Sequence, residues 1–235
     1  MNKINTAVIL AGGKGTRLKS VVSNVPKPMA PIHDRPFLEY LMDYWINQGI
    51  SKFILSVGYM KESIISHFGE NYKSASIEYS EENQPLGTGG GLISASHKIK
   101  ETFLLINGDT FFELNINSLL HFHTEKNSHW TFSLFNSTHL GRYMAMCVSE
   151  DGEILSLAPS DSSVKNLSNG GVYLIEPSVL SNVHYQEGDY MSLEDDLLPY
   201  IFSSNSKVFG LEFKENFIDI GLPEDYFKAS KILTT

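Results

Sequence analysis

Residues 6–18 read TAVILAGGKGTRL, an apolar run followed by glycines and basic residues. Its first part, Thr6–Ala11, is an apolar, partly β-branched run of the kind that forms a buried strand. The run leads directly into Gly12-Gly13 and Gly15, and a glycine-rich turn of this kind lets backbone N–H groups approach an oxygen-rich ligand. Arg17 follows at once, and a guanidinium there can bind a phosphate through two hydrogen bonds. The stretch therefore predicts a buried strand that ends at an anion-binding loop.

This loop matches neither of two common phosphate-binding patterns. It lacks the GK[ST] ending of a Walker A loop, and residues 13–18 end in Leu18 where a dinucleotide-binding GxGxxG fingerprint needs glycine. The pattern therefore disfavours a dinucleotide-dependent oxidoreductase. A plain tight turn remains the alternative to an anion site.

Strand-like and helix-like segments alternate through the first half of the chain. After the first strand, the predicted segments in chain order are helix Pro36–Gln48, strand Lys52–Val57, helix Lys61–Phe68, strand Ser76–Ser80, helix Gly91–Lys100 and strand Phe103–Ile106. This alternation predicts right-handed βαβ crossovers and a Rossmann-like, mostly parallel α/β sheet flanked by helices. Ligands of such sheets bind beyond the carboxyl ends of the strands, so the glycine-rich loop and Gly108-Asp109 are expected on one rim.

The second half is less regular and predicts a smaller lobe of mixed strands packed on the parallel sheet. Its predicted elements are strands Thr131–Phe135, Met144–Ser149, Val172–Ile175 and Lys207–Phe213 and a short helix near Leu193–Tyr200. No Gly/Ser/Pro-rich linker separates the halves. We therefore expect one domain over residues 1–235, with residues 1–125 and 126–235 as its two parts.

Composition excludes several classes of function. The 235 residues include 18 Lys and Arg against 27 Asp and Glu, and the net charge of −9 argues against nucleic-acid binding, which needs a basic face. No apolar run approaches the roughly 20 residues that span a bilayer, so no membrane partner is expected. The single cysteine, Cys147, excludes an internal disulfide and fits the reducing cytoplasm.

Six motifs resemble, in order, those of the sugar-1-phosphate nucleotidyltransferases, which couple a nucleoside triphosphate to a sugar 1-phosphate and release pyrophosphate. They are residues 10–18 (LAGGKGTRL), 26–29 (PKPM), 82–88 (ENQPLGT), 107–110 (NGDT), 169–173 (NGGVY) and 219–226 (DIGLPEDY). The resemblance spans nearly the whole chain. It implies the nucleotide-diphospho-sugar transferase fold, which is GT-A-like, with a nucleotide-binding part mainly in 1–125 and a sugar-binding part mainly in 126–235.

The resemblance also implies roles for individual residues. Arg17, Lys27 and Asp109 would be catalytic: Arg17 would hold the β- and γ-phosphates, and Lys27 would stabilise charge at the α-phosphoryl group. Asp109 and Asp219 would hold Mg²⁺, which takes one or two carboxylates plus phosphate oxygens. The other nucleotide-binding residues would be Leu10, Ala11, Gly12, Gly13, Gly15, Thr16, Glu82, Gln84, Pro85, Gly87 and Thr88. The sugar-binding residues would be Gly108, Lys165, Asn169, Gly170, Gly171 and Glu194.

One segment departs from the pattern of this family. Relatives often carry a Glu-Lys-Pro tripeptide shortly before the NGG motif, and its lysine contacts the sugar phosphate. Here residues 157–165 read LAPSDSSVK. Either Lys165 substitutes for that lysine, or Lys27 and Arg142 hold the phosphate, and the sequence leaves both open.

Within the family, the chain looks most like the D-glycero-α-D-manno-heptose 1-phosphate guanylyltransferases. This likeness rests on the short chain without a β-helix extension and on residues 26–39 and 85–90. It implies a cytoplasmic enzyme that forms GDP-heptose from GTP for bacterial surface polysaccharide.

Several alternatives stay open at this point. Mannose-1-phosphate guanylyltransferases and uridylyl-, thymidylyl- or cytidylyltransferases of other sugars share these motifs, so base and sugar are not fixed. An inactive, sugar-nucleotide-binding regulatory protein is the alternative from another class. Aromatic-rich strands in the second half make a homodimer plausible.

Overall fold

A ten-stranded sheet runs through the protein, whose computed structural model describes residues 3–137, 142–158 and 165–233. The strands are β1 Thr6–Leu10, β2 Pro31–Ile32, β3 Arg35–Pro36, β4 Lys52–Val57, β5 Asn71–Tyr72, β6 Ala75–Glu81, β7 Phe103–Asn107, β8 Thr110–Phe112, β9 Trp130–Phe135, β10 Ala145–Val148, β11 Ile154–Ser156, β12 Lys165–Ile175, β13 Val208–Glu212 and β14 Phe217–Asp219. The α-helices are α1 Phe37–Asn47, α2 Lys61–Phe68, α3 Gly87–Ser96, α4 Ile116–Glu125, α5 Leu198–Ser203 and α6 Pro223–Ile232. Short 3₁₀ or π turns cover Thr16–Leu18, Lys27–Met29, Pro177–Leu180 and Leu193–Leu197.

The centre of the sheet is parallel, as the alternating pattern predicts. Strands β7, β1, β4 and β6 lie side by side in parallel, and β5 closes one edge as an antiparallel strand. On the other side of the sheet, β12 runs antiparallel to β7 and also pairs with β10 and β9. Strand β11 pairs antiparallel with β10, and β13 pairs in parallel with β9. The structure therefore confirms an α/β fold with a mostly parallel sheet and a mixed-strand extension.

The apolar composition of β1 and β7 follows from burial on both faces of the sheet. Ala7 and Ile9 join the core beneath α1, where Trp45 is fully buried. Val8 points to the opposite face and joins the core that includes Leu92 of α3. A strand covered on both faces needs apolar residues at successive positions, which explains the uninterrupted run Thr6–Ala11.

The third helix begins and ends four residues earlier than its predicted span of Gly91–Lys100. Residues 87–90, which precede the predicted start of the helix, read GTGG, and their glycines meet another segment closely. A Cβ at Gly89 would lie 3.0 Å from the Ser192 carbonyl oxygen, and the N–H groups of Gly89 and Gly90 donate to the Met191 carbonyl. Contacts about a hundred residues away in sequence therefore override the local preference.

Strand β12 begins seven residues before its predicted start at Val172. It contains Gly170 and Gly171, and its pairing with β9 shifts register between Asn169 and Tyr173, as at a β-bulge. Because β12 joins β7 to β9 and β10, the sheet is continuous across both halves. The division near residue 125 stays a prediction.

The aromatic residues Trp130 and Phe132 of β9 pack into the hydrophobic core of this chain. Trp130 and Phe132 are fully buried against Tyr173, with ring centroids 5.8 and 5.2 Å away. They therefore give no support to a homodimer interface, which stays a prediction. Within the described ranges, none of the helices has the length and apolar character needed to cross a membrane.

Candidate active site

A cleft of about 1040 Å³ opens beyond the carboxyl ends of the parallel strands. It brings together the loop after β1 and the residues that follow β7, which is the rim expected from the strand order. The predicted site residues that line it are Leu10, Ala11, Gly12, Gly13, Gly15, Thr16, Arg17, Lys27, Glu82, Gln84, Pro85, Gly87, Thr88, Gly108, Asp109, Asn169, Gly171, Glu194 and Asp219. Their individual roles stay predictions.

The glycine-rich loop packs against Lys27 on one side and leaves open space on the other. Gly15 has a φ of +55°, and a Cβ there would lie 2.8 Å from the Cβ of Lys27. A Cβ at Gly13 would meet nothing within 4 Å. Gly15 thus meets a structural requirement, whereas Gly13 is unconstrained by the protein and faces space that a ligand can enter.

Lys27 lies between two carboxylates at the centre of the cleft. It opens the short turn Lys27–Met29, which Pro26 precedes and Pro28 continues, and its side chain is only 9% exposed. Its ammonium pairs with Asp109, and Nζ lies 3.7 Å from Oδ1 of Asp219. The structure thus brings together Lys27, Asp109 and Asp219, which belong to the separate motifs at residues 26–29, 107–110 and 219–226.

The pKa of Asp219 is shifted by burial and by the charged groups around it. Burial and the nearby negative charge of Asp109 raise its pKa above the usual carboxyl range. The positive charges of Lys27 and Arg142, and an N–H of Gly221 that donates to Oδ1 at 2.6 Å, act in the opposite direction. Burial and like charge outweigh these effects, so the charged form of Asp219 is disfavoured.

The two carboxylates fit a hard divalent cation. Carboxylate oxygens are the ligands that Mg²⁺ prefers, and Asp109 and Asp219 already share the ammonium of Lys27. In the described part of the chain, no group of three or more His, Cys, Asp or Glu residues is placed to hold a metal. A cation bound here would therefore need phosphate or water oxygens to complete its coordination, as is usual for Mg²⁺.

Glu82 occupies the wall of the cleft beneath the glycine-rich loop. Its carboxylate accepts hydrogen bonds from Ser56 Oγ at 3.1 Å and from the Leu86 N–H at 3.2 Å. A Cβ at Gly12 would lie 2.7 Å from Oε1 of Glu82. Two bonds leave a carboxylate with further acceptor capacity, so Glu82 can still receive donors from a ligand.

The segment that carries Gln84 and Gly87, the first residue of α3, is bound to residues 188–193. Gln84 Nε2 donates to the Gly188 carbonyl at 2.7 Å. Gly87 has a φ of +75°, and a Cβ there would lie 2.4 Å from the Met191 carbonyl oxygen. The need for glycine at position 87 is thus explained by contact with Met191, whether or not a base approaches.

On the predicted sugar side, Thr88 and Glu194 are in contact. Thr88 Oγ1 donates to Glu194 Oε2 at 3.2 Å and accepts from the Leu193 N–H at 2.9 Å. Asn169 is held between Tyr173, to whose hydroxyl it donates at 2.8 Å, and the Gly171 N–H, from which it accepts at 3.0 Å.

Two predicted sugar-binding residues do not line the cleft. Gly170 is buried, and a Cβ there would lie 2.5 Å from the ring of Phe112, so packing explains this glycine. Lys165 lies at the exposed start of β12 and pairs with Glu212. Residues 159–164, which hold most of the segment that departs from the family pattern, lie outside the described residues.

The cleft also has lining residues that sequence reasoning missed, among them Ser56, Tyr59, Tyr143, Tyr190, Ser192 and Phe217. Tyr190 is 69% exposed although it is a large aromatic residue. It lies in an irregular segment, where no periodic pattern marks an exposed aromatic side chain in the sequence.

The class of protein follows from the comparison with known families. The family model described as nucleotidyl transferase matches residues 6–235, so the chain belongs to this family. The resemblance seen in the six motifs is thereby confirmed.

Individual relatives and solved structures show which members of the family the chain resembles. The chain is 39% identical over 228 residues to the D-glycero-alpha-D-manno-heptose 1-phosphate guanylyltransferase of Aneurinibacillus thermoaerophilus, covering 97% of each chain. It is 37% identical over 221 residues to the protein of the same name from Campylobacter jejuni, covering 94% of this chain and 96% of that one. The crystal structure of HddC from Yersinia pseudotuberculosis superimposes with a TM-score of 0.84 at 33% identity, covering 98% of this chain and all of the other. The same protein complexed with GMP-PN gives a TM-score of 0.83.

Proposed function

We propose that the protein transfers a guanylyl group from GTP to D-glycero-α-D-manno-heptose 1-phosphate. A phosphate oxygen of the sugar 1-phosphate forms a bond to the α-phosphorus of GTP. The bond from the α-phosphorus to the oxygen bridging to the β-phosphate breaks, and its electron pair leaves with pyrophosphate. The products are GDP-heptose and pyrophosphate, and no general base is needed because the acceptor is already ionised.

One observation carries this proposal: Lys27 lies between Asp109 and Asp219 in a cleft bordered by the glycine-rich loop. Both substrates are polyanions, so positioning and charge neutralisation account for most of the catalytic task. In the proposal Arg17 holds the β- and γ-phosphates, and Lys27 stabilises charge on the transferred phosphoryl group. Asp109 and Asp219 would hold Mg²⁺, which would supply Lewis-acid activation of the phosphate when bound.

Guanine is the base that the chemistry of Glu82 favours. The edge of guanine that carries N1–H and the N2 amino group offers two adjacent donors, and a carboxylate offers only acceptors. Gln84, the other candidate for base contacts, already donates to the Gly188 carbonyl. The two relatives named as heptose 1-phosphate guanylyltransferases support the same choice of base and sugar.

The proposed setting is the cytoplasm, where GTP is available and a single cysteine needs no oxidising environment. GDP-heptose is an activated sugar, so an enzyme that transfers glycosyl groups must consume it. In this proposal that enzyme builds bacterial surface polysaccharide.

The experiment that tests the proposal measures pyrophosphate release with Mg²⁺ over a matrix of nucleoside triphosphates and sugar 1-phosphates. The sugars include the heptose, mannose, glucose and N-acetylated 1-phosphates. We expect activity with GTP and the heptose phosphate, and we expect its loss with EDTA and in Asp109→Ala.

Other outcomes separate the alternatives. A productive pair of another base or sugar would keep the mechanism and overturn the substrate assignment. If no pair releases pyrophosphate while nucleotide sugars still raise the melting temperature, the regulatory alternative replaces the enzymatic proposal.

A further inference from the structure

Arg142 is a basic side chain that lines the cleft and lies outside the glycine-rich loop. Four basic residues line the described cleft: Lys14 and Arg17 in the loop, Lys27 between the two acids, and Arg142 beside Tyr143. The guanidinium lies 5.0 Å from the centre of the Tyr143 ring, which packs edge-on to Phe217 at 5.4 Å. Phe217 belongs to β14, the strand that ends at Asp219. Arg142 therefore lies near Asp219 within the cleft.

One edge of the Arg142 guanidinium is held by the protein, and the rest has donors to spare. Its Nη2 pairs with Asp225, whose side chain is only 7% exposed. Nη1 lies 3.8 Å from an oxygen of Glu224, which is too far for a hydrogen bond. Nε is buried and has no hydrogen-bond partner among the described residues. The Arg142 side chain as a whole is 19% exposed and lines the cleft, so a ligand there can reach the guanidinium.

The other basic residues are unsuited to a second phosphate. Lys27 is already shared between Asp109 and Asp219. Lys165, the alternative that the sequence left open, is 56% exposed, lies outside the described lining of the cleft and pairs with Glu212. Lys14 and Arg17 belong to the loop that the proposed function assigns to the nucleoside triphosphate.

We infer that Arg142 binds the phosphate of the sugar 1-phosphate and that the buried carboxylate of Asp225 positions its guanidinium. The inference rests on the proposed function, because it takes the second substrate to be a sugar phosphate. A guanidinium suits this task because its planar fork can face a carboxylate on one edge and a phosphate on another. Asp225 fixes the orientation of that fork, since it lies in the first turn of α6 and accepts from Arg142 at a buried position.

The test compares Arg142→Lys and Asp225→Asn with Lys228→Ala and with Lys165→Ala, which probes the alternative phosphate contact. Lys228 also pairs with Asp225, at 2.9 Å, but it is exposed and does not line the cleft, so its variant controls for loss of a charge partner of Asp225. Initial rates of pyrophosphate release are measured against the sugar 1-phosphate that the wild type uses, at saturating nucleotide, and then against the nucleotide. Melting temperatures confirm that each variant is folded.

Arg142→Lys is expected to raise KM for the sugar 1-phosphate about tenfold or more, because a lysine keeps the charge but loses the fork. Asp225→Asn is expected to raise the same KM about threefold or more, while KM for the nucleotide changes less than about twofold in both variants. Lys228→Ala is expected to leave both constants within about twofold. Equal rises in the two KM values, or a rise for the sugar 1-phosphate in Lys165→Ala instead of Arg142→Lys, would overturn the inference.

A calorimetric titration keeps this test separate from the proposed function. It measures binding of the sugar 1-phosphates to the full chain with a non-hydrolysable nucleotide present. If no pyrophosphate is released from any nucleoside triphosphate, but the wild type binds a sugar 1-phosphate in this titration and Arg142→Lys binds it more weakly, the inference stands while the enzymatic proposal fails. Equal binding by the two proteins, or absence of binding to the wild type, overturns the inference.

Discussion

The Nζ atom of Lys27 lies 3.7 Å from Oδ1 of Asp219, while the same ammonium pairs with Asp109. One positive charge is therefore shared by two negative ones in a largely buried place. Burial and the like charge of Asp109 raise the pKa of Asp219 above the usual carboxyl range, and Lys27 acts in the opposite direction. An arrangement of this kind favours the arrival of a further cation and places the lysine where charge can develop on a phosphoryl group.

Replacing Lys27 by methionine should abolish most of the activity while retaining the apolar part of the side chain. Loss of one preorganised charge at the reacting group is expected to lower kcat by about 10²- to 10³-fold. Lys19→Met is the control, because Lys19 is an exposed lysine eight residues earlier that does not line the described cleft. Steady-state kinetics of pyrophosphate release checks both variants. A kcat for Lys27→Met within about threefold of wild type would remove Lys27 from the proposed mechanism.

Local patterns predicted those elements that local physics determines. Strand Lys52–Val57 and helix Lys61–Phe68 were predicted with the bounds that the structure has, because burial of strand residues and helical periodicity are visible in single segments. The sequence pattern predicts helix Gly87–Ser96 four residues too late. The glycines at its start are required by close contacts with Met191 and Ser192, which lie far away in the sequence.

The residues of the candidate site likewise fall into those that the sequence predicts and those that it does not. The motifs predict Lys27 and Asp219 as site residues, and the structure brings the two side chains together. Nothing in the sequence pairs Arg142 with Asp225, or marks Tyr190 as a cleft residue, since both facts depend on how distant segments pack.

Alanine at two glycines of the cleft should separate folding from binding. A Cβ at Gly108 would lie 2.4 Å from the Leu10 carbonyl oxygen, so Gly108→Ala is expected to lower the free energy of unfolding by about 2–3 kcal/mol. Gly13→Ala meets no protein atom within 4 Å and should change it by less than about 0.5 kcal/mol. If the loop approaches the phosphates, Gly13→Ala should still raise KM for GTP about tenfold.

Urea unfolding and GTP-dependent kinetics of the two variants check this contrast. An unaltered KM for GTP in Gly13→Ala would show that the backbone at this position keeps its distance from the nucleotide. A Gly108→Ala protein as stable as the wild type would contradict the close approach of Gly108 to Leu10.

Glu82→Gln should weaken the preference for guanine. The substitution exchanges an acceptor for an amide donor, which would face the donors of the guanine edge. We expect kcat/KM for GTP to fall about 10- to 100-fold and that for UTP to fall far less. Glu81→Gln is the matched control, because the neighbouring Glu81 pairs with Lys61 at the surface and lies outside the described lining of the cleft. Parallel losses with GTP and UTP in Glu82→Gln would assign Glu82 a structural role instead.

His123 should make the protein less stable in mild acid. It is buried on α4, where its Nδ1 lies 2.7 Å from Thr131 Oγ1 and its Nε2 3.4 Å from a carboxylate oxygen of Glu176. Burial lowers its pKa below the ordinary value of 6.5; nearby His129 acts in the same sense and Glu176 opposes it. Below pH 6.5 the unfolded chain therefore binds a proton that the folded chain resists, so stability is present above this pH and is lost as the pH falls towards the pKa of the folded state.

This dependence should be visible in melting curves recorded between about pH 7.5 and about pH 5.5, where one such group changes the free energy of unfolding by at most about 1.4 kcal/mol per pH unit. His123→Gln should flatten the decline, because glutamine can hydrogen-bond to Thr131 and does not titrate. His121→Gln should leave the decline as in the wild type, since the side chain of His121 is 72% exposed on the same helix. Identical slopes in the wild type and His123→Gln would show that His123 has the same proton affinity in the folded and unfolded states, against the effect that its burial predicts.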